Sequence, residues 1–290
     1  MKMKLTIFTP THNRADKLNR VYKSLRGQYS FDFEWLIIDD GSTDDTETLV
    51  QSFLSEKYFF VRYYRQENGG KHRAYNRALK MAQGDWFFCL DSDDWLAKDA
   101  IEQIMTYINK EDKRRFIVAY KMDEKGMQLS DNFPCIHSCK LKELDQKYHC
   151  NGEYSMIFPI ELARKFPFPL FEGERFVTES VVYDRLGAAS DVTLLPRVLT
   201  VCEYQEDGLS NNLNQIMKNN PAGYCLYFMQ RIDYYETFLQ RFITAGKYQC
   251  FCRFAGKQKS KYIGKHPVMV TLAKPLGLLF LLYYKILRGF

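Results

Sequence analysis

The sequence predicts an α/β fold with a mostly parallel sheet, helices on both of its faces, and a C-terminal helical extension. Three observations predict it. Strand-length apolar segments alternate with helix-period segments through residues 5–90. Each apolar segment ends in a polar loop. Beyond Pro221 the pattern is helical to the end, and it turns basic.

Leu5 to Thr9 is apolar and is stopped by Pro10, as a buried strand would be. Leu18, Val21, Tyr22 and Leu25 then recur at the spacing of one helix face. Phe33 to Ile38 is a second strand, ending in Asp39-Asp40-Gly41-Ser42-Thr43-Asp44-Asp45, and Thr46 to Leu54 continues as helix. Phe59 to Tyr64 is a third strand, Glu67 to Gly70 a loop, and Ala74 to Met81 a helix closed near Gly84. Trp86 to Leu90 is the fourth strand. Strands alternating with helices require right-handed crossovers and give parallel pairing. Ligands of such sheets bind beyond the carboxyl ends of the strands. Thr11 to Arg14, Asp39-Asp40, Asn68 to Lys71 and Asp91 to Asp94 all fall at those ends. Phe116 to Gly126 reads as strand and turn, residues 127–175 are mixed, and Arg175 to Gly187 reads as helix. Val192 to Tyr204 reads as one or two strands interrupted by Pro196. These segments suggest a domain over residues 1–215 and a helical region over 216–290.

Bulk properties narrow the function. The composition is 46% apolar and 26% charged, that of a globular protein with a sizeable core. Net charge is +6, but the last fifty residues hold ten Lys or Arg and no acid. That leaves 31 basic against 35 acidic groups in residues 1–240, so the basic character is local. No nucleic-acid recognition motif accompanies it. The eight cysteines follow no disulfide or zinc framework, which implies reduced thiols. No signal-peptide pattern opens the chain, and the expected location is cytoplasmic. Pro275 to Tyr284 is uncharged and flanked by Lys274, Lys285 and Arg288. It is too short to span a bilayer. It reads either as a helix lying on an anionic membrane surface or as one packed on the catalytic domain with its lysines in water.

The densest chemistry lies at Asp91-Ser92-Asp93-Asp94, three carboxylates within four residues after a buried strand. Carboxylates that close repel unless water or a cation holds them, and hard divalent ions prefer oxygen ligands. A helix-capping turn would explain one acid rather than three. Asp39 and Asp40, with Asp44 and Asp45 behind them, likewise exceed what one helix cap needs. Lys71, or Arg73, follows a Gly-Gly loop and can reach a diphosphate as a point charge.

Thr9-Pro10-Thr11-His12-Asn13-Arg14, Ile37-Ile38-Asp39-Asp40-Gly41-Ser42-Thr43-Asp44, Asn68-Gly69-Gly70-Lys71 with Ala74 and Asn76, and Leu90-Asp91-Ser92-Asp93-Asp94 stand in series. In order and spacing they closely resemble the family 2 inverting glycosyltransferases, which use nucleotide-sugar donors. The resemblance implies the A-type glycosyltransferase fold, with a Rossmann-like sheet, and a bound Mn²⁺ or Mg²⁺. It implies donor binding by Pro10, Thr11, Asn13, Arg14, Asp39, Asp40, Lys71 and Asp91. Asp40 would meet the base, Asp39 and Asp91 the ribose, and Asp93 and Asp94 the metal. An inverting enzyme also needs a general base for the acceptor hydroxyl. The family's acidic pair is replaced here by Glu179-Ser180, so Glu179 is the expected base, with Glu174 and Glu172 behind it.

The expected activity is transfer of a hexose or N-acetylhexosamine from a nucleotide-diphosphate sugar, UDP-linked, to an acceptor hydroxyl. The expected setting is surface polysaccharide or lipid-linked oligosaccharide synthesis at the inner face of the cell membrane. Expected partners are the nucleotide sugar, a saccharide or lipid-linked saccharide acceptor, and a membrane met by the basic C-terminal region, with no nucleic acid. The rival readings are a non-catalytic sugar-nucleotide-binding protein and an Asp-nucleophile phosphohydrolase.

Overall fold

The structure, a computed structural model, describes residues 3–109, 114–203, 213–288 and 290. Two compact units emerge, residues 1–167 with 186–204, and residues 168–185 with 205–290. The boundary expected at 215/216 falls inside the helix Leu213–Asn219.

The first unit is built on one sheet. Strands β1 (Leu5–Thr11), β2 (Phe33–Asp39), β3 (Phe60–Arg65) and β4 (Trp86–Cys89) are joined by helices α1 (Ala15–Arg26), α2 (Thr46–Glu56) and α3 (Lys71–Met81). They lie in the order β3-β2-β1-β4, all parallel. Thr11 is level with Asp39, and Asp39 with Arg65, so the carboxyl ends share one edge. Next come β5 (Trp95–Leu96), α4 (Ala100–Ile108), β6 (Phe116–Asp123), β7 (Ser138–Lys140), α5 (Leu141–Gln146), β8 (Tyr154–Pro159) and α6 (Ile160–Ala163). β8 pairs antiparallel with both β4 and β6. Among the described residues four ladders are parallel and four antiparallel, so the sheet is parallel in its N-terminal half and mixed beyond β4.

Helices cover both faces because side chains alternate along each strand. Leu5 and Ile7 join a core with Leu18 and Leu25 of α1, Val50 and Phe53 of α2, and Ile101 and Ile104 of α4. Phe8 and Phe87 face the other way and pack on Tyr75 of α3. The last strand of the unit, β9 (Asp191–Cys202), is one strand rather than two. Its register against β6 slips around Tyr120, and exposed Pro196 and Arg197 lie within the slip. Proline has no N–H to give a ladder, and a bulge accommodates it without ending the strand. Tyr204, the expected strand end, lies outside the described residues.

The amino end of the sheet is fastened by a buried charge. Glu34, fully buried on β2, accepts from Thr6 Oγ1 at 2.6 Å, from the Gln83 N–H at 2.6 Å and from Arg62 Nη1 at 2.9 Å. One carboxylate thus joins β1, β2, β3 and the loop into β4.

The second unit is helical. It contains the segment 168–185, where α7 (Ser180–Ala189) begins, and α8 (Leu213–Asn219), α9 (Pro221–Tyr234), α10 (Phe238–Ala255), α11 (Pro267–Leu272) and α12 (Lys274–Leu287). Tyr224, Phe228, Phe251 and Tyr284 form its aromatic core. Among the described residues no helix is long and apolar enough to cross a membrane.

Replacing Glu34 with Ala strands the Arg62 charge and two donors in the interior. Urea unfolding is expected to show a loss of about 3–5 kcal/mol, whereas Lys4→Ala at the exposed Lys4–Asp32 pair is expected to change stability by less than about 1 kcal/mol.

Candidate active site

At the carboxyl edge of the parallel strands, four loops are tied to one another by side-chain bonds. The first loop follows β1. Asn13 sits in the left-handed region at φ 51°, a conformation Asn tolerates better than most residues. Its N–H donates to Ser42 Oγ at 2.9 Å, and its Oδ1 accepts from the Thr43 N–H at 2.7 Å. The loop after β2 is therefore clamped to the loop after β1. Arg14 precedes α1, and its carbonyl accepts the first helical N–H groups. Pro10 and Thr11 are buried at the end of β1, and Thr11 Oγ1 has no hydrogen-bond partner among the described residues.

Asp39 and Asp40 are both buried, and both carboxylates are occupied within the protein. Asp39 accepts from the Ser42 N–H at 2.7 Å and from Tyr63 Oη at 2.6 Å. Asp40 accepts from Gln66 Nε2 at 2.7 Å, from the Gly69 N–H at 3.0 Å and from the Gly70 N–H at 2.6 Å. Asp40 thus holds the third loop and sets the start of α3, where Lys71 stands. Gly41, at φ 83°, makes the turn possible: a Cβ there would lie 3.0 Å from the Asn68 backbone nitrogen. Asn68 Nδ2 reaches back to within 3.2 Å of a His12 ring nitrogen. Lys71 Nζ then bridges to the fourth loop, 2.6 Å from Asp91 Oδ1.

In that fourth loop the carboxylates are sorted by their cations. Asp91 pairs with Lys71. Asp94, buried, pairs with Lys121 of β6 at 3.3 Å. Burial opposes the charge on Asp91, yet Lys71 and Lys121 together hold its carboxyl below the usual range. At Asp94 burial outweighs Lys121, and the negative Asp91 and Asp93 add to it, pushing the carboxyl up to about 6. No described side chain bonds the Asp93 carboxylate. Its backbone is fixed instead: the Asp93 carbonyl accepts from Arg20 Nη2 at 2.9 Å. The Arg20 guanidinium lies 4.1 Å from the Trp95 ring centroid and 2.6 Å from Glu203. Lys17 adds a second cation to Glu203 at 3.0 Å. These two cations hold the Glu203 carboxyl down to about 2.

Arg20, Lys121, Glu203 and Gln66 escape sequence reasoning. None belongs to a local motif, and each reaches the loops only through the packing of α1, β6, β9 or the β3 loop. Among the described residues no group of three or more His, Cys, Asp or Glu forms a ready metal-binding cluster. The donor set is nonetheless the right kind for a hard cation: the open Asp93 carboxylate beside Asp94, all oxygen. These two carboxylates do not form a closed protein cage, and a cation there would need further oxygen ligands from outside the protein.

The predicted base belongs to the second unit. Glu179 is half-buried just before α7, and its carbonyl accepts from the Val182 and Tyr183 N–H groups. The helix begins at Ser180 rather than Arg175, and the Arg175 and Phe176 N–H groups donate to Asn220 Oδ1 at 2.9 Å each. Glu174 has a different task. It is buried, and it accepts from the Ala222 N–H at 2.6 Å and the Gly223 N–H at 2.9 Å, at the start of α9. Burial raises its carboxyl, with these two N–H groups opposing. Glu172 is exposed, and its backbone bonds Gln258.

The family model for "Glycosyl transferase family 2" matches residues 6–162, more than half of the chain. The chain belongs to that family. A curated relative, the GalNAc(5)-diNAcBac-PP-undecaprenol beta-1,3-glucosyltransferase of Campylobacter jejuni, is 32% identical over 181 residues, 61% of this chain and 55% of the relative. The chain therefore spans little more than half the length of that relative. Among solved structures, Staphylococcus aureus TarS 1–349 in complex with UDP-GlcNAc superposes with a TM-score of 0.65 at 16% identity, over 86% of this chain and 72% of that one. The Pyrobaculum calidifontis mannosyltransferase PcManGT, in complex with GDP-Man and Mn²⁺, gives 0.55 at 17% identity, over 97% and 82%. The fold of this family 2 member is the A-type glycosyltransferase fold.

Because its folded carboxyl titrates below its unfolded value, Glu203 contributes stability above pH about 4.5 that is lost as pH falls toward about 2. Solvent screening limits the contribution to about 1 kcal/mol. Glu203→Gln is expected to lower stability by that amount at pH 7, and the two melting curves are expected to converge as the pH falls through that window.

Proposed function

We propose that the chain is an inverting glycosyltransferase that moves a hexose or N-acetylhexosamine from a UDP-linked donor to an acceptor hydroxyl. The observation that carries this reading is the bonded rim of four strand-end loops, with Lys71 and the Asp91–Asp94 carboxylates standing on it. Family membership supports the reaction class. The UDP-GlcNAc complex of a protein with the same fold supports the donor class. A lipid-linked acceptor is supported by the Campylobacter relative, whose name specifies an undecaprenol-PP glycan.

In this reading Pro10, Thr11, Asn13 and Arg14 line the nucleoside end of the donor, and the buried, unpartnered Thr11 hydroxyl is the group best placed to bond it. Asp39 and Asp40 act mainly through structure, holding the loops that meet base and ribose. Lys71 exchanges its bond to Asp91 for the diphosphate, which frees Asp91 for the ribose. Asp93 and Asp94 would hold Mn²⁺ or Mg²⁺, which would neutralise charge on the departing nucleoside diphosphate; the Mn²⁺ complex of the mannosyltransferase supports a divalent ion. Glu179 takes the proton of the acceptor hydroxyl as that oxygen bonds the anomeric carbon. The bond from that carbon to the phosphate oxygen breaks, and the nucleoside diphosphate leaves. Glu174 is set aside as the base because its carboxylate caps α9. The setting is polysaccharide or lipid-linked oligosaccharide synthesis at the cytoplasmic face of a membrane, with the basic C-terminal unit in contact with that membrane.

The test is a panel of nucleotide sugars with and without Mn²⁺, followed by calorimetry and acceptor transfer. Asp93→Ala is expected to abolish metal-dependent donor turnover. Glu179→Gln is expected to leave the donor Kd unchanged and to lower transfer by about 10²–10⁴-fold. Full transfer by the Glu179 variant would refute the base assignment, and the absence of any nucleotide-sugar binding would refute the function.

A further inference from the structure

The second unit carries a surface that the proposed chemistry does not use. α11 and α12 are separated only by Ala273. Bonds from the Ala273 N–H to the Met269 carbonyl and from the Gly277 N–H to the Ala273 carbonyl, 2.9 Å each, carry the helical pattern across the join. One side of this stretch is buried, through Val270, Ala273, Gly277 and Tyr284. At Gly277 it lies so close to α10 that a Cβ would come within 2.6 Å of Gln249 Cβ.

The opposite side is also apolar. Val268, Leu272, Leu279, Leu282 and Ile286 recur at helical spacing and are 55–74% exposed. A surface helix ordinarily turns polar residues outward, and a continuous exposed apolar stripe marks an interaction face. Lys274 and Lys285, both exposed, flank the stripe. They belong to the fifty residues that hold ten cations and no acid.

We propose that this face of α11 and α12 lies on an anionic lipid bilayer, its aliphatic side chains among the acyl chains and its lysines at the headgroups. The proposal rests on the membrane contact named in the reading above and specifies the face and the lipid charge. Two observations select a bilayer over a second copy of the chain. Symmetric pairing through this face would bring Lys274 and Lys285 of both copies together with no carboxylate from residues 241–290 to pair them. The stripe is also mainly aliphatic, with Tyr283 at its edge 39% exposed, whereas protein interfaces concentrate Trp, Tyr and Arg at their centres. An amphipathic helix with apolar residues on one side and lysines beside them binds in the plane of the interface by apolar burial together with attraction to anionic lipid.

The test is co-sedimentation of the full chain with vesicles of phosphatidylcholine alone and of phosphatidylcholine with phosphatidylglycerol. Nucleotide-sugar binding is measured alongside by calorimetry. Partitioning is expected only with phosphatidylglycerol, weakening as salt is raised. Leu282→Gln/Ile286→Gln is expected to reduce it by at least about tenfold, and Lys274→Ala/Lys285→Ala by about tenfold. Both variants are expected to keep the wild-type melting temperature and donor Kd, since the altered side chains are exposed and lie outside the donor loops. Failure here therefore leaves the enzymatic reading standing, and failure of donor binding leaves this one standing. No partitioning onto phosphatidylglycerol vesicles would overturn the proposal. So would equal partitioning of the Leu282/Ile286 variant, or self-association that this variant abolishes in analytical ultracentrifugation.

Discussion

Four parallel strand ends leave four sets of backbone N–H groups at one edge of a sheet, and buried carboxylates satisfy several of them. Asp39 closes the turn after its own strand, and Asp40 reaches across to the Gly69 and Gly70 N–H groups. Both acids are buried, so leaving these bonds unmade would carry the full desolvation cost of the charge. That cost is what fixes the loops. Once the third loop is held, Lys71 heads α3 within reach of Asp91. Once Lys71 and Lys121 neutralise Asp91 and Asp94, three acids can share a four-residue turn without a metal. In the proposed function a diphosphate would meet this charge at the start of a helix.

The same edge explains why the local motifs were legible. Strand periodicity, turn glycines and acidic clusters are short-range features, and β1 to β4 with their helices were readable from them to within two residues, except that α3 begins at Lys71, three residues before the expected Ala74. Residues 127–175 were not legible, whereas β9 and the helices beyond Pro221 were. β8 is six residues long and sits between β4 and β6, where only tertiary pairing distinguishes a buried strand from a loop segment. Pro196 reads as a strand breaker, yet the bulge absorbs it. Arg20, Lys121 and Glu203 were illegible for a related reason. Each is an ordinary charged residue on an amphipathic element, and its role exists only because the fold brings it to the acidic turn.

Glu174 and Glu179 show how a carboxylate's surroundings separate two candidates of one acidic stretch. They lie five residues apart, and only the resemblance at Glu179-Ser180 ranks one above the other. In the structure Glu174 is buried against the first N–H groups of α9. Such a carboxylate stabilises a helix start through the unpaired N–H groups and the helix dipole, and its proton affinity is tied to that duty. Glu179 stands at the start of a different helix with only partial burial. Of the two, Glu179 is the less buried, and the proposed function gives it the base's role for that reason.

Charge asymmetry links these local details to the whole chain. The rim's lysines, Lys71 and Lys121, belong to the acidic part of the chain and not to the fifty residues richest in cations. A basic patch built to capture a soluble anionic donor would be expected at the strand ends, where steering acts over a Debye length or so. Of the ten cations only Lys274 and Lys285 lie on α12, beside its exposed leucines and isoleucine, while Arg241, Lys247 and Arg253 lie on α10. Water favours the cations and rejects the aliphatic stripe, and a neutral apolar surface does the reverse. In the membrane contact proposed above, an anionic bilayer surface would match both at once.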